Sequence, residues 1–541
     1  MSQERTRILT GFRVTVFWTL VSRVLGMVRD VATAALFGLV GSGAIDAFVI
    51  AFRIPNFFRR LFGEGALAAS YLPVLTEKFD RSRPAAWQLV SVLLGWLTIV
   101  LSVVVLLSEL LCAVVWISTE SPSQLRLIAG LSAVMLPYLL FICLAAQVSA
   151  TLHALHHFST PACIPIVFNV CWILAAVWMA PHWSEDQAAQ TYLLAVAVLV
   201  GGLLQFGMQL PVLRQLGFRF DYNWQASRQA VRQVTTGLLP TLLGLAIIQI
   251  NTLVDTMVAW IFSSSAAGTA IDWLGGSLVY PMRDGVIAAI YFSERIYQLP
   301  IGLLGVAVGT VIFPTLSRHA IRGANAEMGN TLTLGLQLTL FLAIPASVGL
   351  VLLGEPLTIL LFRHGAFTIT DAMRTAAMVA AYGSGIWAYS ALPILARGFY
   401  AHGDRRTPLR LGVWIVMLNL LLDLLLIWPF AEVGLALASA FVAGLFMILL
   451  AVTFSRRIGS LDWSRLGATV ARSSLASLVM FAVGWLVLRA LSAAGLTGSL
   501  WYEGLRVVVP LTCCLILYLA ISIGTGGTEW RLLTGRETDK H

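Results

Sequence analysis

The chain has 541 residues, of which 58% are hydrophobic and only 11% charged, with a mean hydropathy of +0.86. A soluble domain is about one quarter charged, so an ordinary soluble protein is excluded. The apolar runs, such as 89–116 and 413–428, are continuous rather than alternating, which excludes a closed β-barrel and indicates an all-α polytopic membrane protein. The net charge of +9 is expected to sit in basic cytoplasmic loops, so no nucleic-acid partner is expected.

Fourteen transmembrane helices are predicted, near 12–36, 46–74, 87–116, 126–150, 161–180, 189–213, 234–262, 284–314, 332–353, 374–400, 409–429, 432–454, 467–491 and 502–524. The N-terminus begins with basic residues, but Arg23, Arg29 and Asp30 interrupt its apolar region and no small-residue cleavage site follows. It is therefore expected to remain as part of the first span. The second span contains AFRIPNFFRRLFGEGALAAS, residues 51–70, with Arg53, Arg59, Arg60 and Glu64 among apolar neighbours. Pro55 removes a backbone donor just before Arg59, and Gly63 and Gly65 flank Glu64.

His153, His156 and His157 follow span four without nearby acids or cysteines, which suits an interfacial loop better than a metal site. The six cysteines lie scattered in apolar segments and are read as packing residues. In span seven, Asn251 and Asp255 stand four apart, hence on one helix face. The gap that follows, SSSAAGTAIDWLGGSLVYP, is long. It reads as a plain loop, or as a re-entrant or amphipathic piece with Trp273 and Tyr280 at the interface.

Span eight carries Arg283, Asp284, Glu294 and Arg295, then GLLGVAVGT, whose small residues suit close helix packing rather than a phosphate loop. No GxxxxGK[ST] motif is present. Asn419 and Asp423 in span eleven repeat the four-residue spacing, and Ser439 adds a hydroxyl in span twelve. These oxygens suit a small cation, and equally an interhelical hydrogen-bond network.

Basic residues divide by side. Lys78, Arg81, Arg83, Arg214, Arg219, Arg228, Arg232, Arg318, Arg322, Arg405, Arg406, Arg410, Arg456, Arg457 and Arg465 fall in gaps on the N-terminal side. The tails add Arg5, Arg7, Arg531, Arg536 and Lys540, whereas the opposite side has Arg363, Arg374, Arg489 and Arg506. Both termini are therefore expected in the cytoplasm.

The arginines within spans need a separate explanation. Arg13, Arg126 and Arg472 lie near span ends and are expected to snorkel. Arg23, Arg29, Arg53, Arg59 and Arg295 lie deeper. An arginine facing lipid at mid-membrane costs at least ~2.5–3.5 kcal/mol. Asp30, Asp46, Glu64, Asp284 and Glu294 are too few to neutralise all the arginines around them. Either a wet, net-positive cavity results, suited to phosphate oxygens, or an ion-pair network ties helix bundles together.

Four stretches carry a family resemblance: SRVLGMVRD (22–30), DAFVIAFRIPNFFRRLFGEGA (46–66), ERIYQLPIGLLGVAVGTVIFPTLS (294–317) and ILARGFYAHGDRRTP (394–408). Together they resemble the MviN/MurJ family of bacterial lipid II flippases, within the multidrug/oligosaccharidyl-lipid/polysaccharide exporter superfamily. The resemblance implies two pseudo-symmetric six-helix lobes, at 1–230 and 231–458, followed by two C-terminal helices. The segment 459–541 would hold those helices, whose groove takes the polyprenyl tail, and the cytoplasmic tail.

It also implies transport of lipid-linked disaccharide-pentapeptide across the bacterial cytoplasmic (inner) membrane, without covalent chemistry. By motif match, Arg23, Arg29, Arg59 and Arg295, with Arg53 beside them, would meet the pyrophosphate headgroup. Asp46 and Glu64, and Asp30 next to Arg29, would be functional acids. Some family members bind sodium, and the matching positions are Asp255, Asn419, Asp423, Ser439 and the carbonyl of Leu435. A gradient of sodium or another monovalent cation, or the membrane potential, would supply the energy. The expected partners are lipid II, membrane lipids and cell-wall synthesis machinery. FGEG stands where FAEG is usual, and Arg405 where a shorter polar residue is common. The rival expectations are a flippase for another polyprenyl-linked glycan, a cation-coupled drug exporter and a non-transport scaffold.

Overall fold

A computed structural model describes residues 2–39, 43–61, 67–120, 123–264, 270–273, 276–493, 500–526 and 529. The described residues are almost all helical, in keeping with the long apolar runs. Nine helical segments among the described residues are long and apolar enough to cross a membrane, or ten if the bent pair Ile369–Gly383 and Ile386–Ala401 is one span. The protein is thus an all-α polytopic membrane protein. It divides into two compact units, Met1–Thr256 with Ser263–Ala288, and Met257–Phe262 with Ala289–His541.

The first unit runs through α1 (Ser2–Phe37), α2 (Ala44–Leu61), α3 (Leu67–Arg81), α4 (Arg83–Ser118) and α5 (Gln124–Ala154). It continues with α6 (Ser159–Leu174), a π-helical turn (Ala175–Met179), α7 (Ala180–Trp183), α8 (Gln187–Gly207), α9 (Gln209–Gln215) and α10 (Trp224–Ile261). Helix α5 is the hub and packs on α2, α3, α4 and α8, while α1 lies against α6. Ring packing holds α2 to α6, with Phe48 and Phe52 each edge-on to Trp172 at 5.3 and 5.2 Å. Gly202 lets α8 approach α5 closely, because a Cβ there would run into the Tyr138 ring. The buried Tyr71 hydroxyl shares a 2.9 Å hydrogen bond with Thr151, so α3 and α5 join without leaving a polar atom stranded.

The long gap after α10 forms an antiparallel hairpin, β1 (Ala270–Trp273) and β2 (Gly276–Val279), with Ala270 opposite Val279 and Trp273 opposite Gly276. The sequence reading had offered a loop or a re-entrant piece.

The second unit contains the remaining elements. They are α11 (Val286–Ile321), α12 (Asn325–Phe362), α13 (Ile369–Gly383), α14 (Ile386–Ala401), α15 (Arg406–Phe430), α16 (Glu432–Arg457), α17 (Trp463–Ala493) and α18 (Leu500–Gly524). Val286–Ala288 at the start of α11 belong to the first unit, and the second unit also takes the end of α10 from Met257. Here α12 is the hub and packs on α13, α14, α17 and α18. One apolar cluster joins Leu332 and Leu336 of α12 to Ile394 and Phe399 of α14 and Phe454 of α16. A second joins Phe341 and Leu352 to Met480 of α17 and Tyr518 of α18.

Caps set several helix starts. Thr368 and Asp371 form a capping box on α13, and Asp186 accepts from the Ala188 and Ala189 N–H groups of α8. Asp404 accepts from the Arg406 and Thr407 N–H groups where α15 begins.

Candidate functional site

Arg29 is held by a carboxylate, an amide and an indole ring. Its Nε and Nη2 donate to Asp30 Oδ1 at 3.0 and 2.8 Å, and its Nη1 donates to Asn169 Oδ1 at 3.1 Å. The guanidinium lies 4.8 Å from the centroid of the Trp172 ring. Asn169 is oriented in turn by donating from Nδ2 to the Ser22 carbonyl at 3.1 Å. Trp172 donates to Thr33 Oγ1, which itself donates to the Arg29 carbonyl. The side chains of Arg29 and Asp30 are 12% and 4% exposed, so the charge is held among a carboxylate, an amide and an indole face rather than in water.

The other basic residues of this unit differ in setting. Arg23, on the same helix, is exposed, whereas Arg53 is buried in α2. Arg59 donates from Nε to Asn56 Oδ1 at 2.9 Å, one turn earlier on α2. Arg60 reaches Gln249 Oε1 of α10 at 3.5 Å.

Asp46 has a role that its spacing did not suggest. It is fully buried, and its two oxygens accept from the Gly285 and Ala288 N–H groups at 3.0 and 2.8 Å. The carboxylate therefore caps the N-terminus of α11, where the helix dipole favours negative charge. Gly285 has φ +81°, and a Cβ there would meet the Leu39 carbonyl. Asp30 is likewise engaged with Arg29. Glu64 lies outside the described residues.

In the second unit the Arg295 guanidinium sits 4.3 Å from the Tyr291 ring centroid. Beside it in sequence, Glu294 is buried. Two residues after Arg295 on α11, Tyr297 stacks on Tyr382 of α13 and Tyr389 of α14, with centroids 4.7 and 6.0 Å apart.

The expected cation positions of this unit meet between α15 and α16. Asn419 and Asp423 are fully buried, and Asn419 Nδ2 donates to Asp423 Oδ2 at 2.8 Å. Ser439 Oγ approaches Asn419 Oδ1 at 3.5 Å, and buried Leu435 lies one turn before it. One carboxylate among neutral oxygens fits a monovalent cation better than a divalent one. Asp255, a buried residue of the first unit, was the remaining expected ligand. No cluster of three His, Cys, Asp or Glu is found among the described residues.

A family model described as Lipid II flippase MurJ matches residues 33–505. The chain belongs to the MurJ family. A MurJ relative from Vibrio cholerae serotype O1, described as a probable lipid II flippase, is 33% identical over 462 residues, covering 82% of each chain. A relative from Burkholderia cenocepacia, described as a lipid II flippase, is 30% identical over 525 residues, covering 94% of each. A solved MurJ in an inward closed conformation shares the fold at a TM-score of 0.72 and 23% identity, over 94% of this chain and 97% of that one. A multidrug resistance MATE transporter of the MOP superfamily, inward-facing, shares it at a TM-score of 0.60 and 10% identity, over 82% and 98%.

Asn169 and Trp172 were missed by sequence reasoning, although they hold Arg29. Asn169 did leave one signal, a lone amide in the apolar run PACIPIVFNVCWIL. The Arg374–Glu432 pair, 2.8 Å between α13 and α16, left no such signal.

Proposed function

We propose that this chain moves lipid II, the undecaprenyl-pyrophosphate disaccharide-pentapeptide, from the inner to the outer leaflet of the bacterial inner membrane by alternating access. The family match across residues 33–505 carries this reading. No covalent step is involved, so the protein is a transporter and not an enzyme. Headgroup passage is the physical problem: a pyrophosphate in bare hydrocarbon is prohibitive, and guanidinium groups replace its water. In this reading Arg23, Arg29, Arg53 and Arg59 of the first unit and Arg295 of the second serve the pyrophosphate in turn. Arg29 exchanges Asp30 for phosphate oxygens and keeps Asn169 and Trp172. The hold of Asp30 on Arg29, with both side chains mostly buried, supports this role.

The reading has fourteen crossings, with α1, α2 with α3, α10 and α11 spanning as well as the more apolar helices. It also has lobes at 1–230 and 231–458, a tail groove in 459–541, and cytoplasmic termini. Asp46 and Glu64 gate the cycle, Asp46 through its hold on α11. Asn419, Asp423, Ser439 and the Leu435 carbonyl of the second unit hold sodium, whose charge offsets the buried Asp423 carboxylate, and loss of the Asp255 carboxylate is expected to weaken the response to sodium. A unit charge crossing 100 mV gains about 2.3 kcal/mol, enough to bias such a cycle.

Growth of cells depleted of the protein tests the function. Wild type is expected to rescue growth and to prevent lysis, whereas a defect confined to a surface polymer would favour another polyprenyl-linked glycan. Full rescue by a chain lacking all five arginines, with normal membrane levels, would favour a scaffold.

A further inference from the structure

We infer that a groove between α4 and α10 in the first unit binds an anionic glycerophospholipid, separately from the transported substrate. The groove has a volume of about 960 Å³. Its α4 wall is apolar and presents Trp96, Leu97, Val100 and Leu101. Its α10 wall changes character along the helix. Arg228 and Arg232, exposed and one turn apart, line one end, and Leu238 and Leu242 line the other. From Arg228 to Leu242 is about 21 Å of helix, room for a headgroup and a length of acyl chain. None of these residues is among those assigned above to lipid II or to sodium.

The groove is a built feature. The loop before α10 is strapped to α4, since Asp221 N–H donates to Ser91 Oγ at 3.0 Å and Gln88 Nε2 donates to Asp221 Oδ2 at 2.8 Å. The Tyr222 ring lies over Gly95, where a Cβ would come within 3.0 Å of it. Asp221, the acid of this loop, is thereby engaged by Gln88. Neither guanidinium pairs with a carboxylate among the described residues. Paired arginines at the mouth of an apolar groove, with Trp224 beside them, match a phosphodiester headgroup with its chains below. Basic pockets of this kind at the cytoplasmic surface retain acidic lipids.

Native mass spectrometry of the full chain, released from nanodiscs of equal phosphatidylglycerol and phosphatidylcholine, tests this. Wild type is expected to retain phosphatidylglycerol preferentially. Arg228→Gln with Arg232→Gln is expected to lower that preference about tenfold or more. Val100→Trp fills the groove without touching its charge and is expected to lower retention as well, which decides the matter if the double variant does not fold. Arg214→Gln removes an exposed charge of α9 outside the groove and is expected to change nothing. Unchanged retention in the groove variants would overturn the proposal. An equal loss in Arg214→Gln would do so too, by showing diffuse charge attraction. Displacement of phosphatidylglycerol by added undecaprenyl pyrophosphate at lower concentration than by phosphatidylglycerol itself would assign the groove to the substrate path and also overturn it.

Discussion

A carboxylate fully removed from water must be satisfied by protein donors, and Asp46 meets that demand with two backbone N–H groups at the start of α11. Asp46→Ala is expected to lower stability by about 1–2 kcal/mol, read as a fall in thermal midpoint of the detergent-purified protein. An unchanged midpoint would show that the cap contributes nothing. Arg29 makes a different demand. Arg29→Lys keeps the charge but loses the fork that engages Asp30 and Asn169 together, so it is expected to rescue depleted cells only weakly. Rescue equal to wild type would mean that a point charge suffices. Asp404 lies outside the spans, between α14 and α15. Burial pushes its carboxyl up, but hydrogen bonds from the Thr407 side chain and from the Thr407 and Arg406 N–H groups, with Arg457 nearby, bring it below its ordinary value. A depressed carboxylate stabilises the fold above its unfolded pKa and loses that contribution as pH falls through the folded one. The midpoint difference between wild type and Asp404→Asn should therefore be constant near neutrality and shrink below about pH 4. A difference that grows on acidification would contradict this. The charged residues themselves were legible as oddities in apolar runs, but their partners were not. Asn169 is 140 positions from Arg29, and Gly285 is 239 from Asp46, distances that no local pattern spans.

At the scale of elements, continuous apolar runs announce helices because a buried backbone in lipid must satisfy its own hydrogen bonds. Nine of the described helical segments, or ten with the bent pair, are long and apolar enough to cross a membrane, against the fourteen spans expected from hydropathy. The hairpin after α10 was less legible, since two four-residue strands give too short an alternation to separate from loop. The fit of α8 against α5 was also hidden, because GG in an apolar span marks close packing without naming the partner. Gly202→Leu would drive a side chain into Tyr138 and is expected to reduce the yield of monodisperse protein sharply; a normal yield would show that the contact yields easily. The α15–α16 contact carries the sodium proposal. Sodium chloride, against choline chloride at equal ionic strength, is expected to raise the thermal midpoint of wild type and leave Asp423→Asn unmoved. Equal responses of the two would remove Asp423 from any cation site.

At the scale of the whole molecule, the family match runs from α1 into α18 and so through both compact units. The transport reading asks both units to contribute, Arg29 from one and Arg295 from the other. Family membership fixes the class of cargo, and in the proposed reading the arginines meet its pyrophosphate. The most direct measurement is outer-face accessibility of lipid II in depleted cells carrying wild type, Arg29→Ala or Arg295→Ala at equal membrane levels. The account predicts that outward lipid II is lost on depletion and restored by wild type alone. Restoration by both variants would contradict the role given to these arginines. Undiminished outward lipid II in depleted cells lacking any other flippase would contradict the function itself.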